Sequence, residues 1–398
     1  MIALSADATV SLRQDGVALR PKVSIGAPVS RDISWLVSSI PVIRSSVRPL
    51  ERTPDISTLS IRCQNPDSLL SEWNASGWIG SQKWAGALVT VSLGIPLAAG
   101  GHEDVTVFVG DLEDVIENFG AGTVELLCVD PVSRLKRYSV DGDNDVDVYV
   151  QEAPSYIVQQ LLTAAGFGSR LTGFAARIDE ERWEGFRLRE YTVPQGSWWS
   201  AIQGLLRQVN AGLRVNRDGD VEYFKYRPTV EGTQYVFRVD QPGVGGGLQS
   251  RAPRSDIVNT YTARRENFEG ETVDTAASPI VDAQSVTDYG TIGDIFETGF
   301  PVDFPAEATV REFLPAKSQP PRLPTFQDSL QSLAVELWDQ VQVQDPETGY
   351  SAVGVVFEKS IEYGRGVIGW RVYDYGAGST PWLFVENGQT LDSGQVVW

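Results

Sequence analysis

Ala87-Leu88-Val89-Thr90-Val91-Ser92-Leu93-Gly94, Val105-Thr106-Val107-Phe108-Val109-Gly110 and the run from Thr123 to Val129 decide how this chain is read. All three are short β runs, and the second puts three valines on one face of a strand. Gly94, Ala98-Ala99-Gly100-Gly101 and Gly120-Ala121-Gly122 separate them as turns. Short strands at this spacing predict a small barrel or sandwich. Between them, Pro66-Asp67-Ser68-Leu69-Leu70-Ser71-Glu72-Trp73 reads as a short helical insertion.

Downstream the pattern changes. From Ala153-Pro154 to Gly166, apolar residues at 157, 158, 161, 162 and 165 give the spacing of three and four that predicts a helix, with Pro154 near its start and Gly166 past its end. A second helix is expected from Ser197 to Asn210, with Trp198, Ile202, Leu205, Leu206 and Val209 on one stripe. Ala211 to Asn216, the turn Arg217-Asp218-Gly219-Asp220 and Val221-Glu222-Tyr223-Phe224 then read as a hairpin. Together these make an α+β unit. Strands resume at Ile257 to Ala263 beyond the Gly-rich stretch 243–247, and residues 266–325 are polar and Pro-rich. A helix is expected at Gln327 to Glu336, then strands at Asp339 to Asp345, Val353 to Glu358 and Gly366 to Tyr375.

At 398 residues the chain is too long for one ordinary core and suits roughly two to four domains. Apolar residues make up 42%, which excludes a disordered chain, while 38 glycines and 22 prolines suit many turns. The formal net charge of −19 argues against a nonspecific phosphate-binding surface, though not against a conduit through which DNA slides without sticking. The first residues show no basic n-region and no h-region, so no signal peptide is expected. No apolar run approaches the roughly 18 residues of a membrane span. A soluble protein folding in a reducing cytosol is the expectation.

Residues that carry chemistry are few. The single histidine, His102, sits beside two glycines and is expected in an exposed loop, unsupported for a catalytic triad. Cys63 and Cys128 lie in strand-like contexts and read as buried free thiols; with one His they cannot furnish a structural zinc site. Asp141-Gly142-Asp143-Asn144-Asp145-Val146-Asp147, with Glu152, matches a calcium loop at several ligand positions, but Val146 stands where that loop needs Gly, so a solvated acidic loop is the stronger reading. Glu180-Glu181 and Glu184 flank Trp183, a pairing a glycosidase could use, but with no motif fixing them a solvated helix face or loop is expected. Residues 243–247 lack the Lys-Ser/Thr of a P-loop. Eleven tryptophans are many for this length. Trp198 and Trp199 suit core packing or an interface, and Trp382 and Trp398 mark a tail that docks on a partner. No catalytic, cofactor-binding or metal residue is assigned.

Taken in order, these segments resemble the hub proteins of bacteriophage tails (baseplate hub or tail tip). Val-Thr-Val-Ser-Leu-Gly from Val89, Val-Phe-Val-Gly-Asp-Leu-Glu-Asp-Val from Val107 and Val-Glu-Leu-Leu-Cys-Val-Asp-Pro from Val124 resemble "strand, F-x-G, strand, strand ending in Asp". Ile157 to Gly166 resembles "x-I-V-x-x-L-L-x-x-A-G", and Ser197 to Phe224 the following helix and Asp-Gly hairpin. Asp256 to Tyr261 resembles a strand that opens a second barrel. Leu337 to Val343 with Asp345 to Gly349 resembles the "G-D-x-V-x-V…G" hairpin, with Asp339 keeping the acid and Trp338 replacing the Gly. The resemblance spans most of residues 85–375.

It implies a mainly β, multi-domain fold with α+β insertions: two small β-barrels plus a helix-containing α+β region. The expected divisions are a first β-barrel domain with an N-terminal insertion (1–138), an α+β domain (139–235), a second barrel (236–265 and 336–375), an inserted Pro-rich domain (266–335) and a docking tail (376–398). It further implies a homotrimeric, non-enzymatic structural hub at the virion's tail tip, assembled in the host cytoplasm. Six barrels would then match the sixfold tail tube. Expected partners are the tail tube or distal tail protein, the tape-measure protein, and tail fibre or spike proteins, with DNA passing through unbound. The rival reading is a carbohydrate- or receptor-binding β-rich virion protein.

Overall fold

The computed structural model describes residues 3–374 apart from 15–16, 49–52, 55–56, 81–83, 134, 136–138, 141–147, 184–186, 194–195, 209–210, 217, 226–234, 239–247, 253, 267–271, 276–277 and 299–305. The three β runs form the middle of a seven-stranded antiparallel sheet, in the order Arg31–Asp32, Arg20–Ile25, Leu88–Pro96, His102–Asn118, Thr123–Val129, Thr58–Gln64 and Val37–Ser39. Its two edge strands are joined only by residues 33–36. Laid flat, seven strands would separate those edges by about 29 Å, whereas so short a link spans about 17 Å. The sheet therefore curls, and Val23, Ile25, Leu59, Ile61, Val89, Val91 and Leu126 fill its interior.

The His102–Asn118 strand is irregular in two places. Register shifts between Val91 and Ser92 on its neighbour, and between its own Leu112 and Asp114, leave Val107 and Glu113 unmatched. Side chains alternate along a strand, so each extra residue reverses which face its successors show. Core residues accordingly fall three apart, Val105 and Phe108, then Leu112 and Val115. This corrects the expected stripe of three valines: the bulge at Val107 turns Phe108 inward. A Cβ on Gly110 would stand 2.5 Å from both the Phe108 ring and the Val129 carbonyl oxygen, which explains the F-x-G pattern.

A second curled sheet runs Tyr235–Arg238, Gln340–Asp345, Tyr350–Glu362, Val367–Asp374, Leu323–Ser329, Gln249–Arg251, again with edge strands that are neighbours in the sequence. Ile43–Arg48 leaves the first sheet and pairs with the far half of Tyr350–Glu362, Ile43 opposite Ile361 and Ser46 opposite Glu358. Together with the helix Ala6–Leu12, which contributes Ala8 and Leu12, this crossing strand joins both sheets in one hydrophobic core. Two expectations fail here. The helix expected at Gln327 to Glu336 is the end of the Leu323–Ser329 strand followed by a 3-10 turn, Leu330–Ala334, because Pro324, Phe326 and Asp328 alternate inward against Val367–Asp374. The strand expected to open the second barrel, Thr260–Glu266, pairs instead with Thr272–Asp274, Ile280–Val281 and Gly293–Thr298 in a separate sheet.

The helices Pro154–Leu162 and Trp198–Gln208 form close to their expected positions, as does the hairpin Ala211–Val215/Val221–Lys225, whose turn carries Gly219 at φ +79°. Residues 66–80 contain only the short 3-10 turn Pro66–Ser68 and further turns, not a longer helix. Tyr261 and Ala263, with Val310 and Leu314 of the helix Ala306–Lys317, join Ile157, Leu206 and Tyr223 in a second core. The Pro-rich insertion thus packs with the α+β unit. The chain is a mainly β, multi-domain fold with helix-containing α+β parts.

Candidate functional site

His102 is exposed at the start of its strand, bordering a shallow cleft with Arg20, Lys22, Asp32 and Asp104, where Lys22 pairs with Asp104 at 2.8 Å. Among the described residues no group of His, Cys, Asp and Glu is placed to hold a metal ion, and no helix is long and apolar enough to cross a membrane. The acidic loop 141–147, Glu184, the Gly-rich stretch 243–247, Trp382 and Trp398 lie outside the described residues. Cys63 and Cys128 are buried free thiols on paired strands. Burial pushes the Cys63 thiol up to about 12 and raises that of Cys128 too, so both remain protonated and unreactive near neutrality.

The acidic cluster at 180–184 departs from the expected solvated face. Glu180 pairs with Arg177 one helical turn away, but Glu181 is fully buried. Its carboxylate accepts hydrogen bonds from the Ser155 backbone N–H (2.9 Å) and the Tyr223 hydroxyl (2.8 Å). Burial, then the Glu181 charge, raises the Tyr223 phenol well above its ordinary value, keeping it a donor. Glu181 therefore ties the helix Phe174–Trp183 to the start of one neighbouring helix and to the hairpin. The residue type alone misleads; the signal for burial was Ile178, three residues earlier on the same face and also buried.

A cleft with several charged residues on its border lies where both sheets meet the α+β hairpin. A cavity of about 120 Å³ is bordered by Ser45, Thr106, Asp130, Arg214, Glu336 and Lys359, among others. Asp130, the acid ending the third β run, accepts a hydrogen bond from the Val132 N–H at 2.8 Å. Burial pushes its carboxyl up to about 7, assisted by Asp111 and opposed by Val132 and Arg170. Lys359 donates to the carbonyls of Leu333 (2.7 Å) and Val335 (2.6 Å), and its ammonium lies 5.2 Å from the Trp370 ring centroid. Burial lowers it to about 8. Trp370 in turn donates to Ser332 Oγ at 3.0 Å. These groups anchor the 3-10 turn and the junction.

A different feature stands on the outside of the first sheet. Trp35, Trp73 and Phe119 are 65%, 80% and 73% exposed. Trp35 meets Trp78 edge-on, with centroids 6.2 Å apart and planes at 75°, and Arg31 lies 5.7 Å over Trp78. The insertion that bears Trp73 is pinned to the end of the His102–Asn118 strand by the Ser71 hydroxyl on Glu117 and by Asn65 N–H on Gly122 O at 2.9 Å. Trp199 is buried, as expected for core packing. The Trp35–Trp78 pair is not the coplanar platform that sugar stacking uses.

No protein-family model matches the chain, and no curated protein matches it in sequence. Solved structures do. A tail protein from Neisseria meningitidis MC58 superposes with a TM-score of 0.61 at 10% identity, covering 92% of this chain and 98% of that one. The prophage MuSo2 43 kDa tail protein from Shewanella oneidensis gives 0.55 at 11% identity, covering 90% and 97%. Prophage tail protein gp18 from Listeria monocytogenes EGD-e gives 0.52 at 7% identity, covering 89% and 94%. Across nearly its whole length, therefore, the chain has the fold of these phage tail proteins, in agreement with the hub-type family that its ordered sequence elements resemble.

Proposed function

We propose that this chain is the structural, non-enzymatic hub of a phage tail tip. The observation that carries the reading is the pairing of two curled sheets in one chain, fused through a shared core, in a fold that matches tail proteins end to end. In this reading three copies form a ring in which six half-barrels meet the sixfold tail tube through repeated, nearly equivalent contacts. The α+β parts face tail fibre or spike proteins, and the tape-measure protein and DNA occupy the channel. The net charge of −19 supports a lumen lined by carboxylates, which repels phosphates and lets DNA slide. The residues 376–398 dock on a neighbouring subunit. The protein belongs to the virion and assembles in the host cytoplasm.

Native mass spectrometry of the purified chain tests the oligomeric part: a threefold mass is expected, and a stable even-numbered assembly would contradict it. The carbohydrate-binding alternative rests on the exposed tryptophans, but the edge-on Trp35–Trp78 pair does not support it.

A further inference from the structure

The two hydrophobic cores share no residue, and the chain passes from one to the other through Asp130. Cys128 belongs to the core of the two sheets, whereas Val132 and Leu135 belong to that of the α+β unit. Asp130 is 7% exposed and borders the cleft where the sheets meet the hairpin. Its backbone N–H donates to Ser57 O at 2.8 Å, and among the described residues its carboxyl accepts a hydrogen bond from the Val132 N–H alone. The hairpin turn is seated on the first sheet. A Cβ added to Gly219 would stand 2.5 Å from a Val109 methyl and would meet the Arg170 guanidinium, which donates to Gly219 O. Next to this seat lies the cleft, about 120 Å³, which has room for several waters.

Charged groups surround Asp130. Asp111, 3% exposed on the adjoining strand, repels its ionised form, and Arg170 of the α+β unit attracts it. Arg214 of the hairpin, held by Glu222 at 2.7 Å, borders the same cleft, as do Glu336 and Lys359 on the side of the second sheet. Burial is the largest influence, so the closed junction favours the protonated acid. Ionisation costs less once water reaches the carboxylate, which lifting the hairpin turn from Val109 allows. We propose that Asp130 is a proton-operated latch on a hinge between the fused sheets and the α+β unit, letting the junction close when protonated and opening the cleft when ionised. An open junction returns the carboxyl toward its ordinary 3.8, against about 7 when closed. The ratio of open to closed therefore rises by up to about tenfold per pH unit from about pH 4 to about pH 7 and levels off above. The hinge lies within one copy and does not depend on the ring reading.

Double electron–electron resonance between nitroxide labels tests the hinge. One pair spans it, with Asp218→Cys on the exposed hairpin turn and Val353→Cys on the second sheet. A control pair, Ile116→Cys with Val353→Cys, lies within the fused sheets. Cys63 and Cys128 are buried and stay unlabelled. Between about pH 5 and about pH 7.5 the spanning pair is expected to gain a second distance population, while the control pair keeps one. In Asp130→Asn, which cannot ionise, the spanning pair should hold its low-pH distance throughout. Identical spanning distances at both pH values would overturn the latch, as would a rise that persists in Asp130→Asn. Lengthening of the control pair together with the spanning pair marks unfolding and overturns it as well. If Asp130→Asn does not fold, the pH series of the two pairs in the parent background decides.

Discussion

At the scale of single residues, the buried polar groups make the sharpest predictions. Glu181 holds a backbone N–H and the Tyr223 hydroxyl in a fully buried site. Glu181→Ala leaves both donors without this acceptor and should lower stability by about 2–4 kcal/mol in urea titrations. Asp130 titrates near 7 when folded, against an ordinary 3.8. Between those values the folded chain holds a proton that the unfolded chain has released, so this group's contribution to stability falls as pH rises from about 4 to about 7. Asp130→Asn should therefore remove a fall of roughly 2–4 kcal/mol, seen as the difference between variant and parent unfolding midpoints across that window. Lys359 has the opposite sign. Its folded value near 8 lies below the ordinary 10.5, so the unfolded chain holds the extra proton between them and stability gains as pH rises through that window. Lys359→Met should lack this gain, measured from about pH 7.5 upward.

At the scale of elements, what was legible depended on whether the physics was local. The helix Pro154–Leu162 and the Asp-Gly hairpin could be read because their periodicity, Pro and Gly placements act within a dozen residues. Trp338 is an instructive case: it occupies the position where the resembled hairpin has Gly, and the structure places it at φ +70°, a left-handed conformation costing a non-Gly residue roughly 1–2 kcal/mol. The bulges at Val107 and Glu113, the crossing of Ile43–Arg48 and the strand Leu323–Ser329 were not legible. Each is set by a partner far away in sequence, and Leu330 to Leu333 supplies a local helical signal that the strand pairing ends only at Ser329. The candidate site shared this limit: both cysteines sit as read and His102 is exposed as read, though it opens a strand instead of lying in a loop, whereas the burial of Glu181 depends on Tyr223, 42 residues away. Gly110→Ala tests the tight approach of Phe108 and Val129, and should destabilise the chain by about 1–3 kcal/mol with the sheet otherwise retained by circular dichroism.

At the scale of the whole molecule, two hydrophobic cores organise the chain. One fuses the two curled sheets through Ala8, Leu12 and Ile43, and the other joins the α+β unit to the Pro-rich insertion. The sheets are therefore expected to behave as one rigid body. Ile43→Ala, which opens a cavity in their common core, should cost about 2–5 kcal/mol and lower the melting of both sheets together in hydrogen exchange. A rigid pair of similar half-barrels is what a threefold ring needs to present six comparable surfaces to a sixfold tube. Cryo-electron microscopy of tails from the particle that encodes this chain measures that arrangement directly. The expected density is a ring of three copies at the tail tip, each giving two half-barrels around an acid-lined channel in register with the tube. Density for the chain in a peripheral fibre, or a ring whose lumen is neutral or basic, would contradict it.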